Sequence, residues 1–157
     1  MKPFTKKLVL ENGKEFPGYG FGSNRVAVCE LVFNTSMVGY QEIVSDPTYT
    51  DQIVVMTYPL MGNYGFMDED YESKFPSMGG MVVRERCEAP SNFRYTKTID
   101  ETFEELGITG ISDVDTRMIT RIIRNEGTQR AAIVDIDMSH DEAMALIKNT
   151  TPRHDQV

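Results

Sequence analysis

Apolar and polar positions alternate with a period of two through much of the first half of the chain, the pattern of strands that bury one face. Lys7 to Leu10 is a short apolar run, and the Asn12-Gly13 pair after it supplies the positive φ angles of a tight hairpin turn, so Glu15 to Phe21 is predicted to return antiparallel. Arg25 to Asn34 (RVAVCELVFN) sets Ala27, Cys29 and Leu31 against Val26, Val28 and Glu30, a two-faced strand rich in β-branched residues. Gln52 to Tyr58 (QIVVMTY) is apolar almost without interruption, which predicts a central strand buried on both faces. Met81 to Arg84 adds one more short strand.

The period then changes. Thr98-Ile99-Asp100-Glu101 is a capping box, and Ile99, Phe103 and Leu106 fall at i, i+4 and i+7 before Gly107, which predicts a helix over 99–106. Asp115 caps a second predicted helix whose Met118, Ile119, Ile122 and Ile123 form one apolar stripe, closed by Gly127, with Arg117, Arg121 and Arg124 on the other side. Ala131 to Asp135 reads as a late strand, and Ser139 with Glu142 is a second capping box opening a helix over 142–148. A β-rich first half followed by helix, helix, strand and helix predicts an α+β layered domain over 1–149, with its helices packed on one side. Residues 150–157 are polar, contain Pro152 and show no periodicity, as in a linker.

Composition narrows the classes. With 157 residues, 40% hydrophobic and 25% charged, the chain has the size and make-up of one globular domain, which excludes disordered and collagen-like classes. A formal charge of −8 argues against nucleic acid as a partner, because a phosphate-backbone binder needs clustered cations to displace counterions. Membrane binding is not expected: no apolar run approaches the roughly 20 residues that cross a bilayer. The amino terminus MKPFTKKLVLENG lacks the long apolar core of a signal peptide, and a cytoplasmic protein is expected. Cys29 and Cys87 lie far apart, without disulfide or zinc-ligand spacing.

Candidate chemistry is sparse. Neither cysteine stands on a glycine-flanked strand-to-helix turn, and the two imidazoles, His140 and His154, lie in the carboxyl-terminal segment, far from either thiol. There is no GxxxxGK[ST] loop, and the alternating glycines of PGYGFGS have the wrong spacing for a dinucleotide turn. The acidic DEDYE run at 68–72 fails the calcium-loop pattern: counted from Asp68, the sixth and twelfth positions are Ser73 and Gly79, where glycine and glutamate are required. The residues alone specify a globular domain with no self-contained active site.

One stretch is more closely specified than a loop requires. Phe33 to Gly65 (FNTSMVGYQEIVSDPTYTDQIVVMTYPLMGNYG) packs Gly, Pro, Asn, Asp and Tyr between apolar runs, the composition of strands joined by shape-specific turns. Its FNTSMVGYQE, SDPTY and TYPLMGNYG segments, together with VVRE at 82–85, PSNFR at 90–94 and GISDVDTR at 110–117, resemble the small, glutamine-hydrolysing subunit of carbamoyl-phosphate synthase over about Leu8 to Val134.

The resemblance implies a swivelling β/β/α amino-terminal domain, followed in the family by a class I glutamine amidotransferase domain that carries the nucleophilic cysteine and its His-x-Glu partners. It implies that the complete subunit hydrolyses glutamine and passes ammonia to a large subunit. That partner uses ATP and magnesium to make carbamoyl phosphate for pyrimidine and arginine synthesis, so no cofactor is expected in this chain. Within the chain it implies one ligand contact, the hydroxyl of Thr48 at a position where the family commonly has serine, holding glutamine as one wall of its site. Gln41, Asp46 and Asn63 are expected to shape that wall through bonds to nearby backbone. The row of Arg117, Arg121 and Arg124 is either a solvated helix face or a docking surface for the large subunit. The alternative to the whole reading is a stand-alone, non-catalytic interaction module of the same fold.

Overall fold

The computed structural model describes residues 3–35, 51–57, 78–84 and 99–149. In chain order these form β1 (Lys6–Leu10), β2 (Glu15–Gly22), β3 (Ala27–Asn34), β4 (Gln52–Met56), β5 (Gly80–Val82), α1 (Ile99–Leu106), β6 (Thr109–Ser112), α2 (Thr116–Glu126), β7 (Gln129–Asp135) and α3 (His140–Asn149). The strands close into a barrel in the order β1-β2-β6-β5-β4-β3-β7. Pairing is parallel along β3-β4-β5-β6 and antiparallel where β1, β2 and β7 complete the ring. Closure leaves no open edge among these strands to template pairing with another chain.

The alternation along each strand sorts side chains into an interior and an exterior. Leu8, Leu10, Ala27, Leu31, Ile53, Val55, Val82, Ile111, Ala131 and Ile133 fill the barrel, joined by the underside of α2 through Ile119, Ile122 and Ile123. Each such fully buried Leu or Ile contributes roughly 1.5–3 kcal/mol relative to exposure. A seven-membered ring has little room inside, and Gly80 is how it is accommodated. A methyl group there would stand 2.9 Å from Ile133 Cδ1 and 2.7 Å from Thr109 O, closer than real contacts permit.

The exterior is covered in two places. Phe103 of α1 packs with Phe21, Val54, Met56, Met81, Val83 and Ile108, and Ala143 and Ile147 of α3 pack with Val9, Ala132 and Val134. Both faces of β4 are therefore buried, as its unbroken apolarity predicts. The α+β class holds, but the helices do not gather on one side. A closed sheet has a continuous outer surface, and α1, α2 and α3 cover different parts of the molecule.

Three local expectations also change. The first hairpin has a three-residue loop in which Gly13 takes φ +96° while Asn12 keeps a negative φ and accepts a bond from Lys14 N at 2.9 Å, so one residue rather than two needs the left-handed region. Strand β6 lies between two helices in a stretch, TGIS, that shows no alternation because it is buried on both faces. Met118 is 38% exposed and stands outside the apolar stripe of α2, which consists of Ile119, Ile122 and Ile123 with the buried hydroxyls of Thr116 and Thr120.

On the flank formed by β1, β2 and β7, charges are matched. Lys6 Nζ lies 2.9 Å from Asp135 Oδ1, Arg130 Nη2 lies 3.7 Å from Glu11 Oε2, and Glu15 receives both Lys7 Nζ at 3.3 Å and His140 Nδ1 at 2.6 Å. Partial burial by itself would raise the Glu15 carboxyl, but the hydrogen bonds and charges of His140 and Lys7 outweigh it and hold the group below its ordinary value.

Candidate functional site

The parallel strands β3, β4, β5 and β6 all end at one rim of the barrel, and α2 runs between the end of β6 and the start of β7 at that same rim. The helix is fixed there by its sequence. Asp115 accepts the Met118 amide at 3.0 Å, and Gly127 N donates to Ile123 O at 2.8 Å, the start and stop that the capping residues predict. Burial of Ile119, Ile122 and Ile123 turns Arg117, Met118, Arg121 and Arg124 outward. Strand β5 delivers a fourth arginine. Val83 N bonds Ile111 O and Asp113 N bonds Arg84 O, both at 3.0 Å, which ties the exposed Arg84 to the turn leading into α2. Asp113 takes φ +66° in that turn, its carboxylate accepting the Ser112 hydroxyl at 2.9 Å.

Two grooves flank the helix. One, of about 530 Å³, is lined by Arg84, Asp113, Asp115, Arg117, Met118 and Arg121, a mixture of both charge signs around an exposed thioether. The other, of about 510 Å³, lies toward β3 and β4, where Thr35, Thr57 and Asn125 surround Arg117, Arg121 and Arg124. Its base is ordered: Thr57 Oγ1 donates to Asn34 O at 2.9 Å, Thr120 Oγ1 donates to Thr116 O at 2.8 Å, and the Arg124 guanidinium sits 5.5 Å from the centre of the Phe33 ring. Among the described residues no ion pair engages Arg84, Arg117, Arg121 or Arg124.

The three arginines of α2 stand exposed, and their surroundings are not uniform. Arg124 leans on Phe33, whereas Arg117 and Arg121 line both grooves and share the first with Arg84. Arg84, Thr35 and Thr57 carry no local signal for this location, since only the parallel register of β3, β4 and β5 brings those strand ends together. Gln41, Asp46, Thr48 and Asn63 lie outside the described residues. The segments holding them, 36–50 and 58–77, begin directly after Thr35 and Thr57, both on the edge of the second groove.

The chain's chemistry is otherwise quiet. Burial, with a smaller contribution from the Asp51 carboxylate, pushes the Cys29 thiol up to about 11, so at neutral pH it holds its proton and is no nucleophile. No cluster of three or more metal-ligating side chains occurs among the described residues, and none of their helices is long and apolar enough to cross a membrane.

The family comparison fits this frame. Residues 8–133 match the model of the carbamoyl-phosphate synthase small chain, CPSase domain. This chain belongs to the carbamoyl-phosphate synthase small chain family. It is 49% identical, over 98% of its length, to the carbamoyl phosphate synthase small chain of Fusobacterium nucleatum subsp. nucleatum. It is 44% identical over 97% to the carbamoyl phosphate synthase pyrimidine-specific small chain of Halalkalibacterium halodurans, and 47% identical over 97% to the carbamoyl phosphate synthase small chain of Bacillus caldolyticus. The matches span 43%, 42% and 42% of those small chains. The matched span takes in β2 to β6 and α2 whole and most of β1 and β7, so the arginine rim belongs to the part shared with the family.

Proposed function

We propose that this chain is the amino-terminal domain of a carbamoyl-phosphate synthase small subunit, over 1–149, with 150–157 leading toward a class I glutamine amidotransferase domain. On this reading the barrel with its helices is the swivelling β/β/α unit of the family. The complete small subunit hydrolyses glutamine in the cytoplasm and passes ammonia to a large subunit, which uses ATP and magnesium to make carbamoyl phosphate for pyrimidine or arginine synthesis. The observation that carries the reading is the identity of 49% over 98% of the chain to a small chain of this name. Cys29 is not an activated thiol, since burial pushes it up to about 11.

This domain then serves two purposes. It supplies one glutamine-facing wall, with Thr48 donating a hydroxyl and Gln41, Asp46 and Asn63 holding the wall's shape. It also docks the large subunit through Arg117, Arg121 and Arg124, joined by Arg84. The groove containing Arg84, Met118 and both charge signs suits such a contact, since arginine and methionine are enriched at protein interfaces.

The test is reconstitution of the complete small subunit with its large subunit. Thr48→Val, which removes the hydroxyl and keeps the shape, is expected to raise KM for glutamine about fivefold, the equivalent of a hydrogen bond worth about 1 kcal/mol. Ammonia-dependent synthesis should remain unchanged. Arg121→Glu is expected to weaken co-purification of the two subunits. Ammonia release from glutamine by the 157-residue chain alone would overturn the proposed division of labour.

A further inference from the structure

We propose that the groove between α2 and the carboxyl ends of β3 and β4 is a binding site for a small oxyanion, of the size and charge of a phosphate monoester or a dicarboxylate. The chain has 24 acidic residues against 16 basic, so a concave surface of about 510 Å³ with no acidic residue among its described lining is a departure that the composition does not produce by itself. Arg117, Arg121 and Arg124 repeat at i, i+4 and i+7 along one side of the helix, close enough to repel one another, and no carboxylate among the described residues pairs with any of them. An oxyanion between them relieves that repulsion and accepts paired N–H bonds from the planar guanidinium forks, a geometry that suits phosphate and carboxylate.

The surroundings suit a small ligand. The groove's volume falls in the range of ligand pockets, roughly 300–1,000 Å³. It stands at the carboxyl ends of neighbouring parallel strands, where sheet folds place ligands. Its walls are ordered before any ligand arrives: Arg124 rests on the Phe33 ring, the Thr57 hydroxyl is bonded to Asn34 O, and α2 is capped at both ends. The Asn125 carboxamide adds neutral donors beside the guanidinium groups. The groove on the other side of the helix differs on each point that matters, with Asp113 and Asp115 in its lining and Met118 exposed within it. This assignment does not depend on glutamine hydrolysis or on a large subunit.

The two grooves share Arg117 and Arg121 but divide the other arginines, Arg124 to one and Arg84 to the other, and that division makes the test. The 157-residue chain is titrated separately with inorganic phosphate and with succinate against chloride of matched ionic strength, following thermal stability and the amide resonances of Thr57 and Asn125. Saturable binding of at least one anion is expected, with the phosphate and succinate arms separating the two ligand classes. Arg124→Ala should weaken it about tenfold, the loss of one charge-assisted bond, and Arg84→Ala should leave it unchanged. Each variant's melting temperature without anion reports whether it is folded, and Arg124→Lys, which keeps the charge, should retain part of the affinity. No saturable binding of either anion, or equal weakening by Arg84→Ala and Arg124→Ala, overturns the assignment.

Discussion

The flank of β1, β2 and β7 and the rim around α2 are built from the same charged residue types and use them in opposite ways. On the flank, Lys6, Lys7 and Arg130 each have an acidic partner, and Glu15 gathers both Lys7 and His140. On the rim, Arg84, Arg117, Arg121 and Arg124 have no acidic partner among the described residues, although the chain carries eight more negative than positive charges. The flank lies where the chain's own strands and α3 close on one another, and its polar groups are satisfied internally. The rim lies where the parallel strands β3, β4, β5 and β6 end, and no carboxylate among the described residues pairs with its arginines. Paired and unpaired charges thus occupy different parts of one small barrel among the described residues.

The largest expected effect tests that separation within a single helix. Ile119 is fully buried beneath α2 and Arg121 is exposed on top of it. Ile119→Ala should lower unfolding free energy by about 2–5 kcal/mol in a denaturant titration, through lost transfer energy and an unfilled cavity. Arg121→Ala should change it by no more than about 0.5 kcal/mol. A comparable cost for both would mean that the rim arginines are part of the fold, and the contrast between the two regions would fail.

Much of this arrangement is legible in the sequence, and what is not has a common cause. β1 to β4 announce themselves by alternation or by unbroken apolarity, and the caps at Asp115, Gly127 and Ser139 fix helix ends because they act over three or four residues. Closure of the barrel is a different matter. It depends on β1 meeting β7, with Leu8 opposite Ile133, and no local pattern encodes a pairing between strands so far apart in the chain. β6 is hidden because burial on both faces erases alternation, and Met118 is misplaced because an apolar residue beside the stripe resembles one within it. The candidate site divides the same way. Arg117, Arg121 and Arg124 follow from helical spacing, whereas Arg84, Thr35 and Thr57 reach the rim only through strand register.

A smaller effect separates charge from packing on the flank. The Lys6 side chain is 5% exposed while that of Asp135 is 68% exposed, so the lysine stem is buried and its ion pair is open to water on one side. The stem lies across Gly20, where a methyl group would come within 2.6 Å of Lys6 Cγ. Lys6→Ala removes both stem and charge and should cost about 1–3 kcal/mol. Lys6→Met keeps most of the stem and frees Asp135 to water, and should cost less than about 1 kcal/mol. Equal losses in the two variants would place the stabilisation in the ion pair.

The smallest effect is a change of slope with pH. Glu15 is held below its ordinary value of 4.5 in the folded chain by His140 and Lys7, despite the opposing influence of partial burial. A carboxylate lowered on folding contributes stability that is fully present above 4.5 and is lost as the pH falls through that value and then through the lower folded one. Glu15→Gln should therefore melt below the parent chain at neutral pH, and the gap should narrow as the pH drops beneath 4.5. Arg121→Ala removes no carboxylate and should run parallel to the parent across the same range. A gap for Glu15→Gln that stays constant into acid would show that the Lys7-Glu15-His140 cluster stabilises by shape alone, and the flank would lose its claim to hold matched charges for the sake of the fold.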